Sequence, residues 1–174
     1  MIYEELGSTQ LSLCPLERYE SQLYIVVKHR KTSENIYREM IVVENKKELK
    51  ELIKQRIHEQ GLSCDLNDID VSRVEDMSDL FIDSAFNGDI SGWDVSNVKN
   101  MSRMFARSGF SGNISKWNVS GVEDMYGMFY DSKFSGDLNE WDVSNVRSMC
   151  CMFWNSPTEG IEPKWYKTRL ISLI

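Results

Sequence analysis

Trp93-Asp94-Val95-Ser96-Asn97-Val98-Lys99-Asn100-Met101-Ser102-Arg103-Met104-Phe105 decides how this chain is read, because its pattern returns every 24 residues. Asp94-Val95-Ser96 has counterparts in Asp70-Val71-Ser72, Asn118-Val119-Ser120 and Asp142-Val143-Ser144. Val98 keeps step with Val74, Val122 and Val146, and Met101 with Met77, Met125 and Met149. Phe105 does so with Phe81, Phe129 and Phe153, and Trp93 with Trp117 and Trp141. A fixed period of this length marks stacked repeats, each a unit that buries its apolar side only against the next. Proteins built this way usually act by presenting a surface, so binding is the expected function.

Within one repeat, apolar residues fall at Ile90, Trp93, Val95 and Val98, a leucine-rich-repeat spacing in which a short strand covers the last two positions. Val98, Met101, Met104 and Phe105 then recur at helical intervals. Ser72 with Glu75, and Ser120 with Glu123, have the spacing of capping boxes for that helix. The expected fold is therefore α/β. It is a short leucine-rich-repeat-like solenoid of parallel strands plus helices in 24-residue repeats, spanning residues 64–156.

The flanks read as caps. In residues 1–63, Leu23 to Val27 and Ile36 to Val43 are rich in Ile, Val and Tyr and flank the polar stretch Lys31–Asn35, the pattern of a β-hairpin. Asn45 offers an N-cap to a helix carrying Leu49, Leu52, Ile53 and Ile57, and Gly61 stops it. This N-terminal β-β-α unit would cover the first repeat. Residues 157–174 begin with Pro157, carry Trp165 in tryptophan register and end in Leu170, Ile171, Leu173 and Ile174, a C-terminal cap.

Trp93-Asp94-Val95-Ser96-Asn97-Val98, followed by Met101-Ser102-Arg103-Met104-Phe105, resembles the W-D-V-S-N-V-x-x-M-x-x-M-F repeat of BspA-family leucine-rich-repeat surface proteins. The resemblance covers residues 65–156. It implies a bacterial protein concerned with adhesion or protein binding, often at the cell surface. A fold is carried over by such a likeness; an activity is not.

Composition narrows the partner. The net charge of −7 is unevenly spread. Residues 1–60 hold ten acidic and ten basic side chains, whereas residues 61–98 set nine acidic side chains against Arg73 alone, a local balance of −8. Such a field attracts a basic protein surface and repels nucleic-acid phosphates, so direct nucleic-acid binding is not expected. The start of the chain shows neither a basic nor an apolar leader segment, and no run of about 18 apolar residues occurs to span a membrane. The expected location is cytoplasmic, with the cell surface as the alternative that the resemblance favours. Cys14, Cys64, Cys150 and Cys151 lack disulfide-framework or zinc spacing and are expected as reduced thiols.

No phosphate loop, dinucleotide fingerprint or nucleophile elbow occurs, and neither His29 nor His58 has a catalytic companion. The expectation is a non-catalytic protein-binding module without cofactor or metal. In its sharper form it is an intracellular inhibitor, of the anti-defence or immunity type, set against a basic partner. The outward column Asp70, Asp94, Asn118, Asp142 invites calcium, but bonding to neighbouring backbone or the adjacent serine is the favoured reading, because no glycine-rich calcium loop accompanies it. The Met and Phe columns read as core. The candidate partner-binding residues are Asp70, Asp76, Asp79, Asp83, Asp94, Arg103, Arg107, Tyr126, Tyr130, Asp142 and Trp154.

Overall fold

The computed structural model describes residues 36–172 continuously, preceded by residues 5–6, 9–10, 18–19, 22–23 and 25–31, with side chains over 40–168. Glu5–Leu6 (β1) pairs with Thr9–Gln10 (β2), and Arg18–Tyr19 (β3) with Gln22–Leu23 (β4), both antiparallel. Ile25–Lys31 (β5) and Ile36–Val42 (β6) pair antiparallel along their whole length. The polar residues 32–35, expected as the turn between them, lie outside the described residues, as do Leu173 and Ile174 of the expected C-terminal cap.

Helix α1 (Lys46–Gln60) starts where its side chains dictate. Asn45 Oδ1 accepts from the N–H groups of Lys47 and Glu48 at 3.0 and 3.1 Å, filling two donors that a helix start leaves open. It ends at Gly61, which has a positive φ of 86° and donates its N–H to Ile57 O at 2.9 Å. Leu49, Leu52 and Ile53 are buried along one stripe. Strand β7 (Ile69–Asp70) then joins β6 in parallel, Ile41 opposite Ile69 and Val42 opposite Asp70. Helix α2 (Lys164–Ser172) stands at the far end.

Between them the expected fold fails. Over residues 71–163 the structure contains neither α-helix nor strand, so the α/β solenoid of parallel strands plus helices is not what forms. The reason lies in where the backbone N–H groups go. Met101, Arg103, Phe105 and Arg107 donate to the carbonyls of Asp124, Tyr126, Met128 and Tyr130 at 2.7–2.9 Å, not to carbonyls four residues back. The preceding segment (Met77, Asp79, Phe81, Asp83) and the following one (Met125, Gly127, Phe129, Asp131) do the same. Every fourth residue there adopts the left-handed conformation. Asp79, Asp83, Arg103, Arg107, Gly127, Asp131, Cys151 and Asn155 have φ of 52–58°. Alternating handedness makes consecutive tight turns, closed by bonds such as Met104 N–H to Met101 O at 3.2 Å. Residues at i, i+3 and i+4 still point inward, so the periodicity imitates a helix.

The expected strand fails for a related reason. Ser96 N–H, which should join a ladder, is taken by Asp94 Oδ1 at 3.0 Å, and Val98 N–H closes a turn onto Val95 O at 3.0 Å. Ser72 and Ser120 likewise cap no helix, since none follows either of them; their N–H groups instead donate to Asp70 and Asn118.

The segments still lie on one another at 24-residue offsets, and we call each a tier. Isolated parallel bridges link Asp76, Asn100, Asp124 and Ser148 in turn. Phe81, Phe105, Phe129 and Phe153 stack nearly parallel with centroids 5.5–5.7 Å apart. A second stack runs through Phe86, Phe110 and Phe134 at 6.3–6.4 Å. Each such pair adds roughly 0.5–1.5 kcal/mol beyond its buried area. Trp93, Trp117, Trp141 and Trp165 donate their indole N–H to the carbonyls of Leu66, Ile90, Ile114 and Leu138 at 2.8–3.2 Å. The helices meet the two ends of this stack. Arg56 of α1 pairs with Asp68 at 2.6 Å, and Tyr166 of α2 meets Phe153 edge-on at 5.0 Å. Burial pushes the Tyr166 phenol up to about 12.

Candidate interaction face

The series of left-handed turns brings the same four positions of each tier to one side of the stack, where Ser78, Ala106 and Gly127 are buried and the others are exposed or half-buried. From first tier to fourth they are Ser78, Asp79, Ile82 and Asp83, then Ser102, Arg103, Ala106 and Arg107. Tyr126, Gly127, Tyr130 and Asp131 follow, and Cys150, Cys151, Trp154 and Asn155 close the series. Because each position sits above its counterpart, chemistry changes along the stack while geometry stays fixed.

The first two tiers are locked together by charge. Arg103 meets Asp79 with Nε 2.9 Å from Oδ1 and Nη2 2.9 Å from Oδ2. Arg107 holds Asp83 in the same two-pronged way. The Arg107 hydrogen bond brings the Asp83 carboxyl below its ordinary range, and Asp79 and Asp83 raise Arg103 and Arg107 in return. Between the third and fourth tiers Asn155 Nδ2 donates to Asp131 Oδ1 at 2.5 Å.

Above the arginines the face turns aromatic. Tyr126, Tyr130 and Trp154 are 45%, 37% and 57% exposed, whereas the stacked Phe and Trp rings of the same repeats are buried. Arg103, Ala106, Arg107, Tyr126, Gly127 and Tyr130 line a groove of about 270 Å³. Gly127, with φ of 56°, forms part of its wall. This arrangement offers guanidinium planes, phenols and an indole for stacking and hydrogen bonding with another molecule.

The structure thus divides the sequence-derived set. It brings Asp79, Asp83, Arg103, Arg107, Tyr126, Tyr130 and Trp154 onto one face. Asp76 is turned to α1, where Lys46 Nζ lies 3.3 Å from its Oδ2. Asp70, Asp94 and Asp142 form a separate column in which each Oδ1 accepts the N–H of Ser72, Ser96 or Ser144 at 3.0 Å. The Ser144 N–H holds the Asp142 carboxyl below its ordinary range. Asp142 also borders a larger open groove of about 620 Å³ with Trp141, Val143, Ser144, Lys164, Trp165 and Thr168. Among the described residues no group of three His, Cys, Asp or Glu is placed to hold a metal ion. Gly127, Asp131, Cys150 and Cys151 join the face without having been singled out by sequence. Their register, 24 residues from Arg103, Arg107, Tyr126 and Gly127 in turn, is the signal that finds them.

The family model described as "Mycoplasma protein of unknown function, DUF285" matches residues 47–164. No curated protein and no solved structure matches the chain.

Proposed function

We propose that this chain, which belongs to the Mycoplasma protein family of unknown function DUF285, is a non-catalytic protein-binding module working through the face from Asp79 to Trp154. One observation carries this reading. Tyr126, Tyr130 and Trp154 stand outside a stack that buries its regularly repeated aromatics, and two arginines flank them. Tyr, Trp and Arg are the residues that dominate protein interfaces.

The test is a pull-down from the host's lysate with the native chain and with Tyr126→Ser, Tyr130→Ser, Trp154→Ser combined, at low and high salt. A partner captured by the native chain and lost by the variant supports the reading. A partner captured equally by both overturns it.

The inhibitor form, with an acidic first repeat set against a basic partner, makes a separable demand. Asp68, Asp76, Asp79 and Asp83 are already paired with Arg56, Lys46, Arg103 and Arg107, so a basic partner has to compete with these cations. Reversing Asp76, Asp79 and Asp83 to Lys then abolishes capture and flattens its salt dependence; unchanged capture refutes this form.

A surface or adhesion role is the second reading, favoured by the likeness of Trp93–Phe105 to BspA-family repeats. Among the described residues no helix is long and apolar enough to cross a membrane. Fractionation of the producing cell separates the two. Recovery with the soluble fraction supports an intracellular partner, and recovery on the envelope supports adhesion.

A further inference from the structure

We propose that Cys150 and Cys151 form a two-thiol modification site that closes reversibly into a vicinal disulfide, with a hydroperoxide as the oxidant class. In an extended strand, neighbouring side chains point to opposite faces, and one of two adjacent thiols would be buried. Here Cys151 has φ of 58°, the left-handed conformation that Asp79, Arg103 and Gly127 adopt in the tiers below. That turn keeps both thiols on the outer side, Cys150 exposed and Cys151 half-buried. Cys64, the other described cysteine, is buried in the core.

The chemistry balances on these two sulfurs. The Cys150 sulfur, the more accessible, gives up its proton and attacks the terminal oxygen of the hydroperoxide. The O–O bond breaks, a sulfenic acid forms, and the other oxygen leaves with that proton as an alcohol, or as water when the oxidant is hydrogen peroxide. The Cys151 sulfur then displaces the sulfenic oxygen, which departs with the Cys151 proton as water, and an S–S bond joins the residues. Two thiols are oxidised and one peroxide is reduced. Burial first, and the neighbouring Cys150 second, raise the Cys151 thiol, which suits it to resolve the reaction rather than begin it. Adjacent Cα atoms are about 3.8 Å apart, closer than the usual span of a disulfide, so the closed ring is strained and readily reduced. That makes the site reversible.

Closure reaches the outer face through two backbone bonds. The Cys150 carbonyl accepts from Gly127 N–H at 3.0 Å, and the Cys151 carbonyl from Trp154 N–H at 3.3 Å. Twisting the peptide between the cysteines disturbs both, and with them the exposed Trp154 indole.

The test treats the intact chain with hydrogen peroxide, blocks free thiols with iodoacetamide, and digests with trypsin. The peptide 148–164 holds Cys150 and Cys151 and no other cysteine. It is expected to lose two hydrogens, to escape alkylation, and to regain two alkylation sites after dithiothreitol. The emission of Trp154 should shift and return with the same treatment, judged against Trp154→Phe. Cys150→Ser should leave a single alkylatable thiol, and Cys151→Ser should stop at a Cys150 sulfenic acid that dimedone traps; neither should show the loss of two hydrogens. Disulfide-linked dimers, irreversible sulfinic acid as the main product of the native chain, or a loss of two hydrogens that persists in the Cys151→Ser chain would each overturn the assignment.

Discussion

Arg107 grips Asp83 with Nε to Oδ1 at 2.6 Å and Nη2 to Oδ2 at 2.7 Å, although 24 residues separate them. The hydrogen bond depresses the Asp83 carboxyl in the folded chain. A carboxylate depressed on folding stabilises above its unfolded pKa of about 3.9, and that contribution fades as pH falls through the folded value. Urea midpoints of Asp83→Asn should therefore match the native chain most closely at the acid end and diverge modestly towards neutral pH. The effect is small because the pair is exposed and screened by salt. Carboxyl titration by NMR in Arg107→Ala should find Asp83 back in the ordinary range; an unmoved titration would remove Arg107 as the cause.

Phe105 lies fully buried between Phe81 and Phe129, with centroids 5.5 and 5.7 Å away, and also touches Phe110 at 4.4 Å. Neighbours on both sides of the ring are fixed by their own tiers, so the site cannot collapse easily. Phe105→Ala should cost about 3–5 kcal/mol in chemical denaturation. A loss under about 1 kcal/mol would mean that the stack closes over the gap and that the tiers are not rigidly spaced.

Gly127 decides between the turn and the helix by the sign of one substitution. In a helix interior, replacing glycine by alanine stabilises by about 1 kcal/mol. At φ of 56° an added Cβ is strained by roughly 1–2 kcal/mol. Steric room does not confuse the result, because that Cβ would meet Arg103 Cγ at 3.5 Å and Tyr130 Cβ at 3.6 Å, ordinary contacts. Gly127→Ala should lower the denaturation midpoint; a raised midpoint would restore the helix.

What sequence could show here is set by what periodicity measures. The 24-residue register places Met101, Phe105 and Trp117 in the core because it reports which side chains face inward. It does not report where N–H groups point. Val98, Met101, Met104 and Phe105 face inward from alternating turns as they would from a helix, so the helix at this position was a reasonable and mistaken reading. The telling residues were Asp79, Asp83, Asp131 and Asn155, acids and amides that tolerate the left-handed conformation and favour turns over helices. Arg103 and Arg107, in the same conformation, gave no such sign. Helix α1 was legible because Asn45 and Gly61 mark its ends by local chemistry. On the face, the exposed aromatics could be guessed as breaks in a polar run. The pairing of Asp79 and Asp83 with arginines a full tier away could not, since it depends on vertical stacking of turns.

The column Asp70, Asp94, Asn118, Asp142 offers the last test, because one member lacks a charge. Asn118 Oδ1 accepts from Ser120 N–H at 3.2 Å, as the three aspartates do from their own serines at 3.0 Å. If the column acts as backbone acceptors, an amide can take the carboxylate's place, with a slightly weaker bond than the charged group makes. Asp142→Asn should lower the melting temperature only slightly at neutral pH and not at the acid end, while Asp142→Ala, which removes the acceptor of the Ser144 N–H, should lower stability by about 1 kcal/mol. Millimolar calcium should leave the melting temperature of the native chain unchanged. A rise with calcium that Asp142→Asn abolishes would instead make the column a cation site, since ligand binding to the folded state alone stabilises it by mass action.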